Sequence, residues 1–430
     1  MKKIISTFAL ACIAFTLTGC NNNTPMEDCL ITNMGTSNYN QIMKTENGYY
    51  YNSNFFKNMS LRYHDTTTGN DIYLCAKPEC THDGDKFCTA TSEGFHVQYT
   101  GMYGSNIYIV VTEADEKQVM LKLLKASLDG TELTEICTVA QTIGSDKGIR
   151  VFYEDPRAMI LHRGYAFIPY FFSAHETKTM GRSGLAIVNL SDGSVQYMPE
   201  YEQSETNGYM NITPSGDYIY YLMNSKSEMH RYNFTTGEDE LLPVKENMKE
   251  TYGNYVTNLT KYTIIDDKVW YIYGSTSMFI YDPTANTTTL VEAFEDKFYY
   301  QTEEYDENGE LYAIFSIPYS DPKPIYDGKY LYIAEGGFFG SEYIQTDMKV
   351  HIFTLEGDRL GGFVFERSDY GNSCQINILD ETFYIQTKEG VVSCPVSNVI
   401  SGNIEWNEVY QFENGEVYYF ENGELTNGED

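Results

Sequence analysis

Gly216-Asp217-Tyr218-Ile219-Tyr220, followed by Tyr232-Asn233-Phe234-Thr235-Thr236-Gly237, is the stretch that decides the fold. A turn residue opens it, an aromatic-aliphatic strand follows, and a second strand runs into an Asn- and Gly-bearing turn that returns as a third. Aromatic and β-branched residues suit a pleated, half-buried surface. Gly and Asn tolerate the positive φ that hairpin turns require.

The same unit recurs through the chain. Its opening strand appears at Asn47-Gly48-Tyr49-Tyr50-Tyr51, Ser105-Asn106-Ile107-Tyr108-Ile109, Arg163-Gly164-Tyr165-Ala166-Phe167, Gly216 to Tyr220, Asp267-Lys268-Val269-Trp270-Tyr271, Gly328-Lys329-Tyr330-Leu331-Tyr332 and Glu381-Thr382-Phe383-Tyr384-Ile385. The turn recurs at Leu128-Asp129-Gly130, Ser191-Asp192-Gly193, Pro283-Thr284-Ala285-Asn286 and Glu356-Gly357-Asp358. With one more strand before each copy, the unit is a four-stranded antiparallel meander. Seven copies start 51 to 61 residues apart, the spacing of a blade of about 40–50 residues with extended loops. A lone meander cannot bury both faces, whereas radial stacking buries both and protects the edges. The expectation is all-β: a β-propeller of seven four-stranded blades. Glu292 to Asp327 is long enough to hold an extra hairpin. The pair Glu413-Asn414-Gly415-Glu416 and Glu421-Asn422-Gly423-Glu424 predicts another, placed to help close the ring.

These Y-x-Y strands and D-x-x-T-G turns resemble the bacterial TolB-like and YVTN-like propeller-repeat proteins over nearly the whole chain. The resemblance implies the fold and leaves function open, since such propellers serve as scaffolds, binders and enzymes. The repeat signature of WD proteins is absent.

The N-terminus carries a separate message. Lys2 and Lys3 precede an apolar run, Ile4 to Thr18, too short to span a bilayer as a helix. It ends in Leu17-Thr18-Gly19-Cys20, which resembles the bacterial lipobox. The resemblance implies a signal peptide over 1–19, diacylglycerol (and palmitate) on Cys20, and an extracytoplasmic protein anchored to the cell membrane or outer membrane. Two acyl chains at about 0.8 kcal/mol per buried CH₂ hold durably without a transmembrane helix. Residues 20–38 read as a flexible tether and 39–430 as one propeller domain.

Composition narrows the partners. The net charge is −32, and removing Lys2 and Lys3 with the signal makes it −34. Such a field repels nucleic acid and anionic lipid and favours cations or basic partners; the expected partner, a protein or glycan, is not named by the sequence. The 39 tyrosines, against two tryptophans, are spread over the blade strands, so core burial explains them better than sugar stacking.

Of nine cysteines, seven remain after Cys12 and Cys20 are set aside, an odd number that forbids full disulfide pairing. Cys75, Cys80, His82 and Cys88 fall within fourteen residues. Three thiolates and an imidazole make the donor set of a structural zinc; a disulfide between two of the cysteines, natural in an exported protein, and a loop of free thiols are the alternatives. The loop joins the last strand of blade one to the first of blade two. Cys374 and Cys394, on the first and third strands of the last blade, are too far apart to bridge and are expected to be buried.

Two long loops between second and third strands are candidate ligand-facing segments. One, Ser173 to Ser183, carries His175 and Arg182; the other, Gly336 to Tyr343, sets Phe338, Phe339 and Tyr343 among glycines. No catalytic constellation emerges. Gly181-Arg182-Ser183-Gly184 lacks the spacing of a nucleophile elbow, and His175-Glu176 has no second histidine four residues on. The preferred reading is a non-enzymatic binding or scaffolding lipoprotein; a glycan or peptide hydrolase or lyase, or a sensor subunit of an envelope system, are the alternatives. A cluster of histidines and carboxylates at the axis would mark the enzyme, and a filled axis with conspicuous surface loops the binder.

Overall fold

The computed structural model describes residues 33–35, 42–53, 60–82, 88–90, 95–114, 118–142, 146–151, 159–174, 181–203, 209–223, 228–252, 262–273, 277–294, 299–305, 311–318, 323–337, 346–365, 375–386, 390–411, 418–421 and 424–427. Seven four-stranded antiparallel blades form a ring. The fourth blade shows the plan: an inner strand Tyr209–Ser215, then Tyr218–Met223, Glu228–Asn233 and an outer strand Glu238–Leu242. In blade three the inner and outer positions are each split, into Asp146–Val151 and Ile160–His162, and into Val195–Tyr197 and Tyr201–Gln203.

The second strands explain why the repeats read as near-continuous apolar runs. Successive side chains point to opposite faces of a strand. In Tyr218–Met223, Tyr220 and Leu222 enter the core shared with blade five, whereas Ile219, Tyr221 and Met223 enter the core shared with blade three. Among the described residues there are seven such hydrophobic clusters, one at every seam between neighbouring blades. Tyrosine fills them: Tyr170, Tyr209, Tyr220, Tyr221, Tyr262, Tyr271, Tyr281 and Tyr332 are almost fully buried. Hydroxyls at the core margins donate outward, Tyr50 to the Leu128 carbonyl at 2.7 Å and Tyr332 to Asp327 at 2.6 Å. This is the burial expected from their placement on strands.

The seam between blades seven and one is, among the described residues, the smallest, built on Ile42, Tyr51, Tyr384 and Val391. Tyr49 and Tyr384 join hydroxyls across it at 3.1 Å, and Lys44 pairs with Asp380 at 2.9 Å. Among the described residues, the four main strands of each of these two blades follow one another in sequence. A short strand, Asn33–Gly35, pairs instead with the inner strand of blade seven, Gln375–Leu379, before the chain enters blade one. This clasp lies within the stretch 20–38.

Both predicted hairpins are present, but the C-terminal one forms a two-stranded sheet of its own, and Glu413 to Glu416 lie outside the described residues. Tyr299–Tyr305 pairs with Leu311–Pro318 between blades five and six, and Tyr418–Glu421 pairs with Glu424–Asn427 at the C-terminus. Helix Val244–Tyr252 buries Val244 and Met248 against the seam of blades four and five, with apolar residues every fourth position. In blade seven, helix Val396–Ser401 replaces the third-to-outer turn. Cys394 is buried there as expected, while Cys374 lies outside the described residues.

Four of the remaining third-to-outer turns are closed by their own acids, while Asn233 caps the turn of blade four and Thr354 that of blade six. The Ser127 and Thr131 hydroxyls and the Thr131 N–H bring Asp129 down to about 2; Asp65, Asp192 and Asp282 are likewise lowered by donors within their turns. A carboxyl whose folded pKa is depressed stabilises above its unfolded pKa, and that contribution is lost as pH falls through the folded value. The difference in melting temperature between wild type and Asp129→Asn should therefore shrink as pH falls from about 4 to about 2. Scanning fluorimetry across that range checks it; a constant difference would show that ionisation of Asp129 contributes nothing to the turn.

Candidate functional site

The segment between Asp71–Tyr73 and Phe95–Tyr103 joins blades one and two, as the repeat count requires. Outer edges and neighbouring turns interlock around the ring: the turn at Gly130 packs on Leu74 and Cys75, that at Gly193 on Ile136, and that at Gly357 on Ala293. Gly130 is needed twice over. Its φ is +69°, and a Cβ would lie 2.8 Å from the Leu74 carbonyl carbon and 2.9 Å from the Cys75 nitrogen. Its carbonyl accepts the Ala76 N–H at 3.1 Å and the Thr89 hydroxyl at 3.0 Å. Both ends of the cysteine loop are thus fastened to blade two.

Held this way, Cys75, Cys80, His82 and Cys88 bring one donor atom each to within 4.8 Å of one another. His82 Nδ1 lies 3.5 Å from Cys88 Sγ. Zn–S and Zn–N bonds of about 2.3 and 2.05 Å at tetrahedral angles separate ligand atoms by about 3.5–3.8 Å. The cluster can therefore hold a metal ion with small adjustment. Cys75, Cys80 and Cys88 are free thiols, none bonded to another.

Two of the sulfurs differ in how readily they ionise. Burial opposes ionisation of Cys75 most strongly, yet the Lys77 N–H and the Thr89 hydroxyl and N–H together bring it down to about 7. The His82 N–H favours a Cys80 thiolate, but burial and the neighbouring Cys88 and Cys75 sulfurs outweigh it and push Cys80 up to about 11. In both cysteines the N–H two residues on points at the sulfur, a donor that remains in place when a metal takes the thiolate. The His82 ring stacks on Tyr73 with centroids 4.7 Å apart, and the Arg62 guanidinium lies 4.6 Å from the centroid of Tyr73. His82 itself has φ 58°, an uncommon conformation for a residue other than glycine. Such strain persists only where surroundings impose it.

Of the ligand-facing candidates, Arg182 is described and the others are not: His175, Phe338, Phe339 and Tyr343 lie outside the described residues. Arg182 begins the third strand of blade three and stands over Phe172, its guanidinium carbon 4.2 Å from the ring centroid. It pairs with Glu200, which also accepts the Tyr170 hydroxyl at 2.9 Å. These residues line a groove of about 580 Å³ against Gln141 of blade two and Tyr197. Sequence reasoning found Arg182 but missed Tyr197 and Glu200, which reach it from the outer strand region. Their one sequence signal was proximity to the Gly193 turn.

No protein-family model matches the chain, and no curated protein does. Several solved structures are similar in shape. "YCF48 bound to D1 peptide" is 10% identical, with 85% of this chain and 97% of that chain covered and a TM-score of 0.41. Puromycin hydrolase is 10% identical over 84% of this chain and 51% of its own, with a TM-score of 0.41. An acylaminoacyl peptidase of Pyrococcus horikoshii is 9% identical over 88% and 53%, with a TM-score of 0.42. The chain thus spans about half the length of the two hydrolytic proteins. At such identities and scores the likeness carries no functional argument. Strand order and the seven seams place the chain: it is a seven-bladed β-propeller with a cysteine-histidine cluster fastened between its first two blades.

Proposed function

We propose that the chain is a lipid-anchored binding module, held at Cys20, with a structural zinc in the loop of Cys75, Cys80, His82 and Cys88 and a protein or glycan as its partner. The observation that carries this reading is the strand Asn33–Gly35 on the inner edge of blade seven. A catalytic cluster drawing on several blades would be assembled at the axis, where the inner strands converge; here the chain's own N-terminal strand lies on that side. Among the described residues, the one grouping of metal-ligating side chains is the cysteine-histidine loop at the outer edge. Four protein ligands leave no open position on a zinc, which suits a structural role.

The direction of the strand also orients the molecule. Asn33–Gly35 runs antiparallel to the inner strand of blade seven. It therefore runs from the face of the hairpin turns toward the face of the second-to-third loops and blade connections. A tether arriving from Cys20 reaches the ring at the hairpin-turn face, and the loop face points away from the membrane.

Cys20→Ala tests the anchor. The variant should lose palmitate labelling and leave the membrane fraction while keeping the wild-type melting temperature. A variant that stays labelled and membrane-bound would refute lipidation at Cys20.

A further inference from the structure

We propose that the groove between blades two and three binds a neutral oligosaccharide, an inference that rests on the binding-module reading and names its ligand class. The groove forms where the end of the outer strand Leu133–Gln141 meets the end of the second strand Tyr165–Ala174 and the start of the third, Gly181–Asn189. Strand direction puts all three ends on the loop face, the face turned outward. Its volume, about 580 Å³, lies within the range of about 300–1,000 Å³ typical of ligand sites.

The lining selects the ligand. Tyr197 is 53% exposed, a large aromatic ring left open at the rim. Phe172 forms the floor beneath the Arg182 guanidinium. Arg182 and Glu200 are paired, so the groove carries one positive and one negative charge and favours neither ionic sign. The net charge of −32 further repels anions. A wholly apolar ligand would cover that pair and the Gln141 amide without returning hydrogen bonds. What remains is an uncharged molecule with a flat C–H face for the aromatic wall and groups that both donate and accept: a pyranose ring meets each requirement. The guanidinium donates, the carboxylate accepts, and the Gln141 amide does both.

The test uses the full chain in detergent, titrated with cellohexaose, maltohexaose and chitohexaose, with polygalacturonate as an anionic control. At least one neutral hexasaccharide should bind saturably. Tyr197→Ala should weaken it about tenfold, the upper end of what one aromatic contact contributes, with the melting temperature unchanged because the ring is exposed. Glu200→Gln should weaken it as well. The proposal fails if no neutral saccharide binds, if Tyr197→Ala binds like wild type, or if polygalacturonate is preferred. Reducing ends are counted after incubation to separate this inference from the module reading. An intact saccharide supports both. New reducing ends would overturn the non-enzymatic reading while the ligand class stands.

Discussion

The full chain, purified without chelator, should carry about one equivalent of zinc, and Cys88→Ser should lose it. Cys88 is the ligand to remove because it is the most buried of the four, 1% exposed, and its sulfur is already 3.5 Å from His82 Nδ1. Substituting a partner that merely orients a ligand costs about 10–100-fold in affinity, and losing a ligand itself costs more. A metal that binds only the folded protein stabilises it by about 2.7 kcal/mol when free metal is a hundred times its Kd. Chelation of wild type and the Cys88→Ser substitution should therefore lower the melting temperature by similar amounts, and chelator should add nothing to the variant. Thiol counting gives an independent readout. If the signal peptide is removed and Cys20 acylated, as proposed, seven cysteines remain as thiols. Wild type denatured with chelator should show all seven as reactive thiols, with Cys75, Cys80 and Cys88 protected beforehand. Five thiols and no zinc would mean a disulfide staple in the loop instead.

The fold was legible because each blade states it locally. Tyr218–Met223 carries alternate residues for two different seams, so the strand announces itself as an apolar run bounded by turns. The turn acids at Asp65, Asp129, Asp192 and Asp282 make short-range contacts, and short-range contacts are what sequence displays. The cysteine-histidine cluster was legible for the same reason, its four donors lying within fourteen residues. The groove was not. Arg182 could be named, but Glu200 and Tyr197 meet it only through the pairing of the third strand with the outer strand region of blade three, and Gln141 arrives from another blade. The clasp Asn33–Gly35 was equally hidden. Asn-Met-Gly has no strand character of its own, and it pairs because the inner edge of blade seven offers unpaired backbone groups.

Gly130→Ala should destabilise the protein by about 3 kcal/mol and loosen the metal at the same time. Two costs combine. A non-glycine residue at positive φ costs about 1–2 kcal/mol, and here φ is +69°. The added Cβ would also sit 2.8–2.9 Å from the backbone of Leu74 and Cys75, which cannot swing aside as a side chain can. Gly164→Ala separates the two costs: its φ is +80°, yet nothing lies within 4 Å of the new Cβ. That variant should lose only the conformational part, about 1–2 kcal/mol, and keep its zinc. Pushing on Cys75 displaces a ligand, so Gly130→Ala should bind zinc more weakly, read by competition with a chromophoric chelator. In a double-mutant cycle with Cys88→Ser, the double variant should be destabilised by less than the sum of the two single variants, because both withdraw the same metal-dependent stability. Strict additivity, with unaltered zinc affinity in Gly130→Ala, would mean that the turn of blade two and the cluster act independently. The loop would then be fastened to the ring by the Ala76 and Thr89 hydrogen bonds without the metal taking part.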